Sequence, residues 1–409
     1  MIKTGKEPMP VMTYIAIMSV CFIINLPGVA VAPIEGKLRA ILNTSELEIQ
    51  LLTTLPNFVI IPFVFISGKL SSYKHKIPLI VVSLLLFIVC GLIYLFTPTM
   101  TGLIIASCLL GAADGILIPF AMGFIVNSFE GKYRTRNLGM KSATSNLGTV
   151  VASFVVGVLI TGSNWHLPFV VYLIAVVPLA LSYWLRNVPG FGYVDVTPAQ
   201  FQKECVMQDN PKGISYPKIW GLIFNNVYFS FVTFVIVIYL PQLIQEIGWS
   251  PRMSGWIIGV FFISVLLAGF ILEKFIKTFK SLVFPLLGLF LTGGLALIIF
   301  SGSEWSMYTG GVLAGLAFGI FQPLIYDKTS YAVNDPKKNI FGLSLVLSAL
   351  YIAIAVEPFV ITGITDLFHV HHENHFAFNL SFYIGICYII ISYIFRKRFL
   401  FSIEPSYYS

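Results

Sequence analysis

Long apolar runs of about 20 residues, separated by short polar intervals, recur along the whole chain. As a helix, a run of that length matches the apolar core of a bilayer, which is about 30 Å thick. The runs lie at 11–33, 48–68, 77–97, 101–127, 138–162, 166–186, 217–243, 252–273, 281–301, 304–327, 340–364 and 376–395. The pattern therefore predicts an all-α membrane protein with twelve transmembrane helices.

One apolar pattern of two glycines and one proline, which we call the glycine frame, occurs in both parts of the chain. Residues 107–119 and 311–323 share the spacing of two glycines and one proline, in the pairs Gly111 and Gly315, Gly115 and Gly319, and Pro119 and Pro323. The longest polar interval lies between these frames and is rich in proline. We predict two pseudo-symmetric six-helix halves, 1–186 and 217–409, joined by a cytoplasmic linker, 187–216. The aromatic residues of the linker, Phe191 among them, suggest contact with the membrane surface.

Composition and charge agree with a membrane protein. The chain is 57% hydrophobic and 11% charged, whereas a soluble domain has about 25% charged residues. All but three of the 25 lysines and arginines lie in the intervals on one side of the membrane, and the exceptions are Lys37, Arg39 and Arg252. Because positive residues concentrate on the cytoplasmic side, both termini are predicted to be cytoplasmic. The net charge of +7 follows from this topology and gives no support to nucleic-acid binding.

The motifs of the common enzyme and cofactor classes are missing from the sequence. No glycine-rich loop ends in Lys-Ser or Lys-Thr, so ATP-driven pumping is not indicated, and the five cysteines show no metal-binding spacing. Four histidines lie in the interval before the last run, at 369, 371, 372 and 375. A solvated loop explains them better than a metal site, which stays the alternative. We expect no enzyme activity, no cofactor and no resident metal.

Two short motifs carry a family resemblance. Gly68-Lys-Leu-Ser-Ser72 follows the second run, and Gly269-Phe-Ile-Leu-Glu273 follows the eighth. Both resemble the loop signature of the major facilitator superfamily, in which a glycine allows close helix approach and an acid follows it. Ser72 replaces the acid in the first copy. The resemblance implies gating roles for Gly68, Ser72, Gly269 and Glu273, and Asp327 is a further candidate for a gate ion pair.

Residues 104–111, 133–139 and 164–169 resemble the fourth to sixth helices of the bacterial drug–proton antiporter branch. That branch carries an arginine in its fourth helix where this chain has Ser107. The glycine–proline seam of its fifth helix corresponds to residues 148–157, which keep the small residues without the proline. The resemblance implies proton-coupled efflux, and the missing arginine favours a facilitator or importer as the alternative.

Two carboxylates lie inside apolar runs, where burial of an acidic side chain is energetically unfavourable and such residues usually have a function. Asp114 is seven residues beyond Ser107, which places both on nearly the same helix face. Glu357 precedes Pro358 in the eleventh run. We predict that Asp114 and Glu357 carry protons or bind a cationic substrate group. The alternative for each is a structural hydrogen bond.

Uncharged polar residues within the runs are candidates for a central substrate cavity, because transporters of this kind bind near the membrane midplane. The candidates are Asn25, Asn57, Asn226, Gln322 and Tyr326, and hydrogen bonding between helices is the alternative for each. The sequence predicts a monomeric secondary transporter of the plasma membrane. Its predicted partners are lipid, protons and an amphipathic small molecule.

Overall fold

The computed structural model describes residues 1–403, apart from 6–7, 28–30, 32–37, 39–40, 43, 45, 72–74, 160–163, 192–213, 250–251, 301, 334–337 and 369–372. Within these residues the chain is almost entirely helical. Eight segments are long and apolar enough to cross a membrane, and one of them, Met253–Phe300, contains two consecutive helices.

A helix stands at each of the twelve predicted runs in the described part of the chain. In order they are α1 (Val11–Ile23), α2 (Glu46–Leu70), α3 (Ile77–Phe96), α4 (Met100–Ser128), α5 (Gly131–Leu159), α6 (Leu167–Asn187), α7 (Tyr216–Glu246), α8 (Arg252–Phe279), α9 (Val283–Phe300), α10 (Glu304–Ala332), α11 (Asn339–Phe368) and α12 (Glu373–Ile394). The two ends of α6 are 3₁₀-helical. The predicted order of helices is confirmed.

The first helix is shorter than predicted. It ends at Ile23, and Asn25 lies in the turn that follows. Pro27 explains the end of the helix, because proline has no N–H to donate to the carbonyl four residues earlier, here that of Ile23, and its ring clashes with that carbonyl. The prediction of one continuous helix over 11–33 is therefore wrong beyond Ile23.

The chain packs as two compact units. The first comprises Met1–Glu130, Thr144–Ser215 and Thr329–Tyr351, and the second comprises Gly131–Ala143, Tyr216–Lys328 and Ile352–Ser409. Each unit thus contains a segment from the other half of the sequence. Most of the predicted linker, residues 192–213, lies outside the described residues.

In the first unit, the glycines of the repeated frame allow α4 to touch α2. A Cβ atom on Gly111 would lie 2.5 Å from the carbonyl oxygen of Pro56, and one on Gly115 would lie 2.7 Å from the Cβ of Phe63. The second unit repeats the contact, because a Cβ on Gly319 of α10 would lie 2.7 Å from the carbonyl oxygen of Val265 in α8. The sequence repeat therefore corresponds to a repeated helix crossing.

The α8–α10 crossing predicts that two glycine-to-alanine substitutions change the free energy of unfolding in opposite directions. Gly319→Ala should lower the free energy of unfolding by about 1–3 kcal/mol, because the added methyl group overpacks the α8–α10 contact. Gly259→Ala is the matched control, since nothing lies within 4 Å of a Cβ there. The control should be stabilised by up to about 1 kcal/mol through helix propensity. Thermal unfolding of both variants in detergent measures the difference, and equal shifts would contradict the close crossing.

The segment after α6 packs inside the first unit. Phe191 is fully buried, with ring centroids 4.5 Å from Phe124 and 6.2 Å from Phe120. The ammonium group of Lys76 donates a hydrogen bond to the Gly190 carbonyl at 2.6 Å. The hypothesis of membrane-surface contact is therefore wrong for Phe191, because the Phe120 and Phe124 rings of α4 pack against its ring. Tyr193 and Phe201, to which the same hypothesis applies, lie outside the described residues.

Candidate substrate and coupling site

Three polar side chains of α7 and α10 form a buried cluster in the second unit. The Gln322 Nε2 group donates to Asn226 Oδ1 at 3.1 Å and to Ser230 Oγ at 3.4 Å. All three residues are at most 5% exposed. Asn226 and Gln322 are far apart in the sequence, and the structure brings these two predicted cavity residues into direct contact.

Aromatic residues of α7 and α10 lie next to this amide cluster. The Phe229 and Phe321 rings are stacked, with centroids 3.8 Å apart and planes 7° from parallel. Tyr326 lies one helical turn beyond Gln322 and is 6% exposed. The Gln322 Oε1 atom accepts no hydrogen bond within the described part of the chain. The cluster therefore places a buried hydrogen-bond acceptor beside a pair of buried, stacked aromatic rings.

Glu357 of α11 belongs to the same unit and is fully buried. Neither of its carboxyl oxygens accepts a hydrogen bond from any described residue. An ionised carboxylate in such a place is unfavourable by about 2.5–3.5 kcal/mol or more on insertion scales. Ionisation of this carboxyl group would therefore require a partner that the described residues do not supply.

Asp114 is buried in the first unit and is 1% exposed. It lies on the turn of α4 between Gly111 and Gly115, where α4 meets α2. Ser107, at the position of the missing arginine, shares a hydrogen bond with the Tyr94 hydroxyl and donates to the Leu52 carbonyl at 3.2 Å. The serine is thus part of the packing among α2, α3 and α4.

The other two predicted cavity residues belong to the first unit. Asn25 and Asn57 are both exposed. The Asn25 carbonyl accepts a hydrogen bond from Thr149 Oγ1 at 3.3 Å, which ties the turn after α1 to α5. The side chains of both asparagines are therefore accessible at the surface of that unit.

The predicted gating residues differ in what they contact. A Cβ atom on Gly68 would lie 3.0 Å from the Cβ of Ser344, within the first unit. In the second unit, a Cβ on Gly139 would lie 2.7 Å from the Gly269 carbonyl. Glu273 pairs with Lys277 of its own helix at 2.9 Å, and both side chains are more than a third exposed. Ser72 lies outside the described residues.

A buried ion pair in the second unit involves Asp327 and a residue that sequence reasoning missed. The Arg134 Nε group donates to Asp327 Oδ1 at 2.6 Å, and Thr135 Oγ1 donates to Oδ2 at 2.9 Å. The Arg134 and Asp327 side chains are 5% and 0% exposed. Lys328, the neighbour of Asp327 in the sequence, instead donates to the Ser402 carbonyl at 2.7 Å. Arg134 could have been found, because the charge pattern predicts Arg134 and Asp327 on the same side of the membrane.

One cavity of the first unit is lined by none of the predicted site residues. This open cavity of about 380 Å³ lies between α1, α5 and α6, with Phe22, Ile174 and Pro178 in its wall. The hydroxyl group of Ser19, also in the wall, donates to the Ala16 carbonyl of its own helix at 2.8 Å. The cavity is therefore suited to apolar groups and offers little to orient a polar ligand.

Comparison with known proteins identifies the family. The sequence model of the Major Facilitator Superfamily matches residues 13–356 and 222–405. The chain belongs to this superfamily. Its members are transporters of small molecules, so the chain is a multi-pass membrane transporter, and the predicted family and fold are confirmed.

Two bacterial relatives within the superfamily carry names from drug resistance. The chain is 22% identical to the quinolone resistance protein NorA of Staphylococcus aureus (strain N315) over 333 residues, which cover 80% of this chain and 82% of NorA. It is 28% identical to the multidrug transporter protein MdtP of Bacillus subtilis (strain 168) over 175 residues. That match covers 42% of this chain and only 32% of MdtP. The predicted resemblance to the efflux branch is confirmed at low identity.

Solved structures of the superfamily share the fold. A double tryptophan mutant of XylE matches with a TM-score of 0.75 and 14% identity, covering 97% of this chain and 96% of XylE. The human organic anion transporter MFSD10 matches with a TM-score of 0.66 and 12% identity, covering 93% of this chain and 97% of MFSD10. XylE bound to a bromodeoxyglucose, described as a proton:xylose symporter, matches with a TM-score of 0.67 and 13% identity, covering 94% of this chain and 95% of XylE.

Proposed function

We propose that this transporter exports amphipathic small molecules from the cell in exchange for protons, by alternating access. It would act in the plasma membrane, with both termini cytoplasmic. The observation that carries the proposal is Glu357, a fully buried carboxyl group whose oxygens accept no hydrogen bond from the described residues. The names of NorA and MdtP support the efflux direction.

The cluster of Asn226, Ser230 and Gln322 would bind the substrate. Gln322 Nε2 donates to two acceptors within the cluster. The Gln322 Oε1 atom accepts no hydrogen bond from the described residues and would accept one from a donor group of the ligand. The stacked Phe229 and Phe321 rings would hold the apolar part of the ligand by dispersion and ring stacking. A ligand with an amine or hydroxyl group next to a ring system satisfies both features.

Glu357 would move the proton. With the site open to the outside, the carboxyl group would take up a proton, and with the site open to the cytoplasm it would release that proton as a cationic substrate binds. A buried carboxyl that alternates between a proton and a cation is never left charged and unpaired. Asp114 is the second candidate for this role, since it is also a buried intramembrane acid.

The alternative is a facilitator or importer of a specific metabolite. Ser107 favours it, because this serine is used in packing hydrogen bonds where the drug–proton antiporter branch carries an arginine. In this function Asn226 and Gln322 would recognise an uncharged polar solute, and Glu357 would be a structural carboxyl that stays protonated.

Uptake of two kinds of substrate into reconstituted vesicles distinguishes proton-coupled efflux from the facilitator or importer. Vesicles that are acid inside are given either tetraphenylphosphonium, a lipophilic cation of fixed charge, or a radiolabelled pentose. The proposal predicts that the purified transporter accumulates the cation and leaves the sugar at its leak rate. Uptake of the sugar without uptake of the cation would contradict efflux and support the alternative.

Binding at the amide cluster can be tested separately. Gln322→Leu should weaken binding of tetraphenylphosphonium analogues that carry a hydroxyl or amine by about two- to tenfold, because one hydrogen bond contributes about 0.5–1.5 kcal/mol. Binding of the unsubstituted cation should change much less, which makes it the internal control. Equal losses for both ligands would place the hydrogen bond elsewhere.

A further inference from the structure

The segment that follows α12, residues 395–403, folds back on the second unit as an ordered strap. Its backbone closes successive turns, with Arg398 N donating to the Phe395 carbonyl at 2.8 Å and Ser402 N donating to the Arg398 carbonyl at 2.8 Å. Phe401 and Ile403 are 6% and 8% exposed. The Phe401 ring packs against Phe284 with centroids 6.0 Å apart. The strap is therefore fixed at its far end by buried apolar side chains.

Two lysines of the transmembrane helices contact the strap at Phe399 and Ser402. Lys328 of α10 donates to the Ser402 carbonyl at 2.7 Å. The Phe399 ring lies between Lys328 and Lys218, with ammonium nitrogens 4.5 Å and 4.7 Å from its centroid. Cation–π contacts of this kind fix the ring and place positive charge behind the strap.

Three further cations lie side by side at the start of the strap, at Arg396, Lys397 and Arg398. Lys397 and Arg398 are exposed. The two guanidinium groups lie over the rings of Tyr393 and Phe395, at 4.5 Å and 4.9 Å from their centroids. These stacking contacts restrain both arginines, and among the described residues neither guanidinium group pairs with a carboxylate. Residues 393–403 contain no aspartate or glutamate, and the next acid in the sequence is Glu404, outside the described residues.

The strap directly follows the end of a transmembrane helix, because α12 ends at Ile394. Exposed aromatic side chains lie in the helix ends next to the strap, with Tyr393 at 54% in the last turn of α12 and Tyr216 at 57% and Trp220 at 66% at the start of α7. Tyrosine and tryptophan concentrate at the membrane–water interface, at the level of the lipid headgroups. From this preference we infer that the cations of the strap lie at the depth of the lipid phosphates.

From this arrangement we propose that the strap is a binding site for the phosphate of an anionic phospholipid, such as phosphatidylglycerol. Arginine forks match the two free oxygens of a phosphodiester, and a basic pocket beside transmembrane helices is suited to an anionic headgroup. The ordered backbone lowers the entropy that binding would otherwise lose. Because the strap also holds Lys328, the lipid site is directly linked to the helix end that carries Asp327.

The test measures lipid selectivity of the full chain in vesicles of phosphatidylcholine. Spin-labelled phosphatidylglycerol and spin-labelled phosphatidylcholine are compared by electron spin resonance, which separates protein-bound lipid from free lipid. The variant Arg396→Gln/Lys397→Gln/Arg398→Gln removes three charges from the strap. The matched control, Lys274→Gln/Lys277→Gln/Lys280→Asn, removes three charges at the end of α8, which is predicted to lie on the same side of the membrane. Asparagine is chosen at position 280 because Lys280 has a φ of 46°.

The proposal predicts that the strap variant loses its preference for phosphatidylglycerol by at least about fivefold, whereas the control keeps most of it. Arg396→Lys/Arg398→Lys, which keeps the charge, should keep at least part of the preference and also controls for folding. Equal losses in the two triple variants would overturn the site, because the attraction would then follow total charge. An unchanged preference in the strap variant would overturn it as well.

Discussion

Replacement of Glu357 by glutamine is expected to abolish gradient-driven accumulation of tetraphenylphosphonium, while exchange of the cation across the membrane is weakened but retained. The glutamine side chain has the same shape but cannot take up or release a proton. Accumulation in vesicles that are acid inside should therefore fall more than tenfold, a loss of at least about 1.4 kcal/mol of coupling. Counterflow, in which internal unlabelled substrate exchanges for external labelled substrate, reports the step that needs no net proton movement.

Two further variants make this result specific. Glu304→Gln removes an acid that lies in the first turn of α10 and is exposed, and it should leave both accumulation and counterflow unchanged. Asp114→Asn tests the second buried carboxyl. If Asp114→Asn abolishes accumulation and Glu357→Gln does not, the coupling role belongs to Asp114. Normal accumulation in both variants would make both carboxyls structural and would favour the facilitator.

The second large effect concerns the buried pair of Arg134 and Asp327. Asp327→Asn should lower the free energy of unfolding by about 3–5 kcal/mol, because it leaves the Arg134 guanidinium buried without its charged partner. Thr135 loses the acceptor charge that it now contacts at 2.9 Å. Thermal unfolding in detergent measures the loss, and it should be the largest among single conservative changes in this unit.

The exposed pair of Glu273 and Lys277 provides the control for the buried one. Glu273→Gln removes an ion pair with a similar distance, 2.9 Å against 2.6 Å, but with both side chains more than a third exposed. Such a pair contributes at most about 1 kcal/mol. Equal destabilisation by Asp327→Asn and Glu273→Gln would contradict the burial of the Arg134–Asp327 pair. Recovery of stability in Arg134→Met/Asp327→Leu would support it, because removal of both charges leaves neither uncompensated.

The order of helices could be predicted because a membrane leaves few alternatives. Each backbone donor must be satisfied within a helix, so the length of an apolar run translates directly into a span. The glycine frame predicted a repeat, and the α2–α4 and α8–α10 crossings bear out that repeat in atomic contacts. The end of α1 at Ile23 was missed because hydropathy continues through Pro27, although the proline interrupts the hydrogen bonds.

The candidate site was only partly predictable. Polarity inside an apolar run identified Asn226 and Gln322, but their direct contact depends on how α7 and α10 pack, which no local pattern records. Asp327 was recognised as a candidate for an ion pair, but the sequence did not indicate its partner. The true partner, Arg134, is far away in sequence, and only tertiary packing brings its side chain to Asp327. Similarly, the strap at 395–403 looks like a basic tail until its buried Phe401 and its bond to Lys328 are seen.

The central claim is that substrate and protons move in opposite directions through this transporter. The most direct test uses weakly buffered vesicles with a trapped pH-sensitive dye, no initial pH gradient and the membrane potential clamped by potassium and valinomycin. When tetraphenylphosphonium is added outside, we predict that the internal pH rises, because protons leave as the cation enters, and that Glu357→Gln removes the rise. A fall in internal pH would indicate symport, and entry of the cation with no change in pH would indicate a facilitator. Either of those results would contradict proton-coupled exchange.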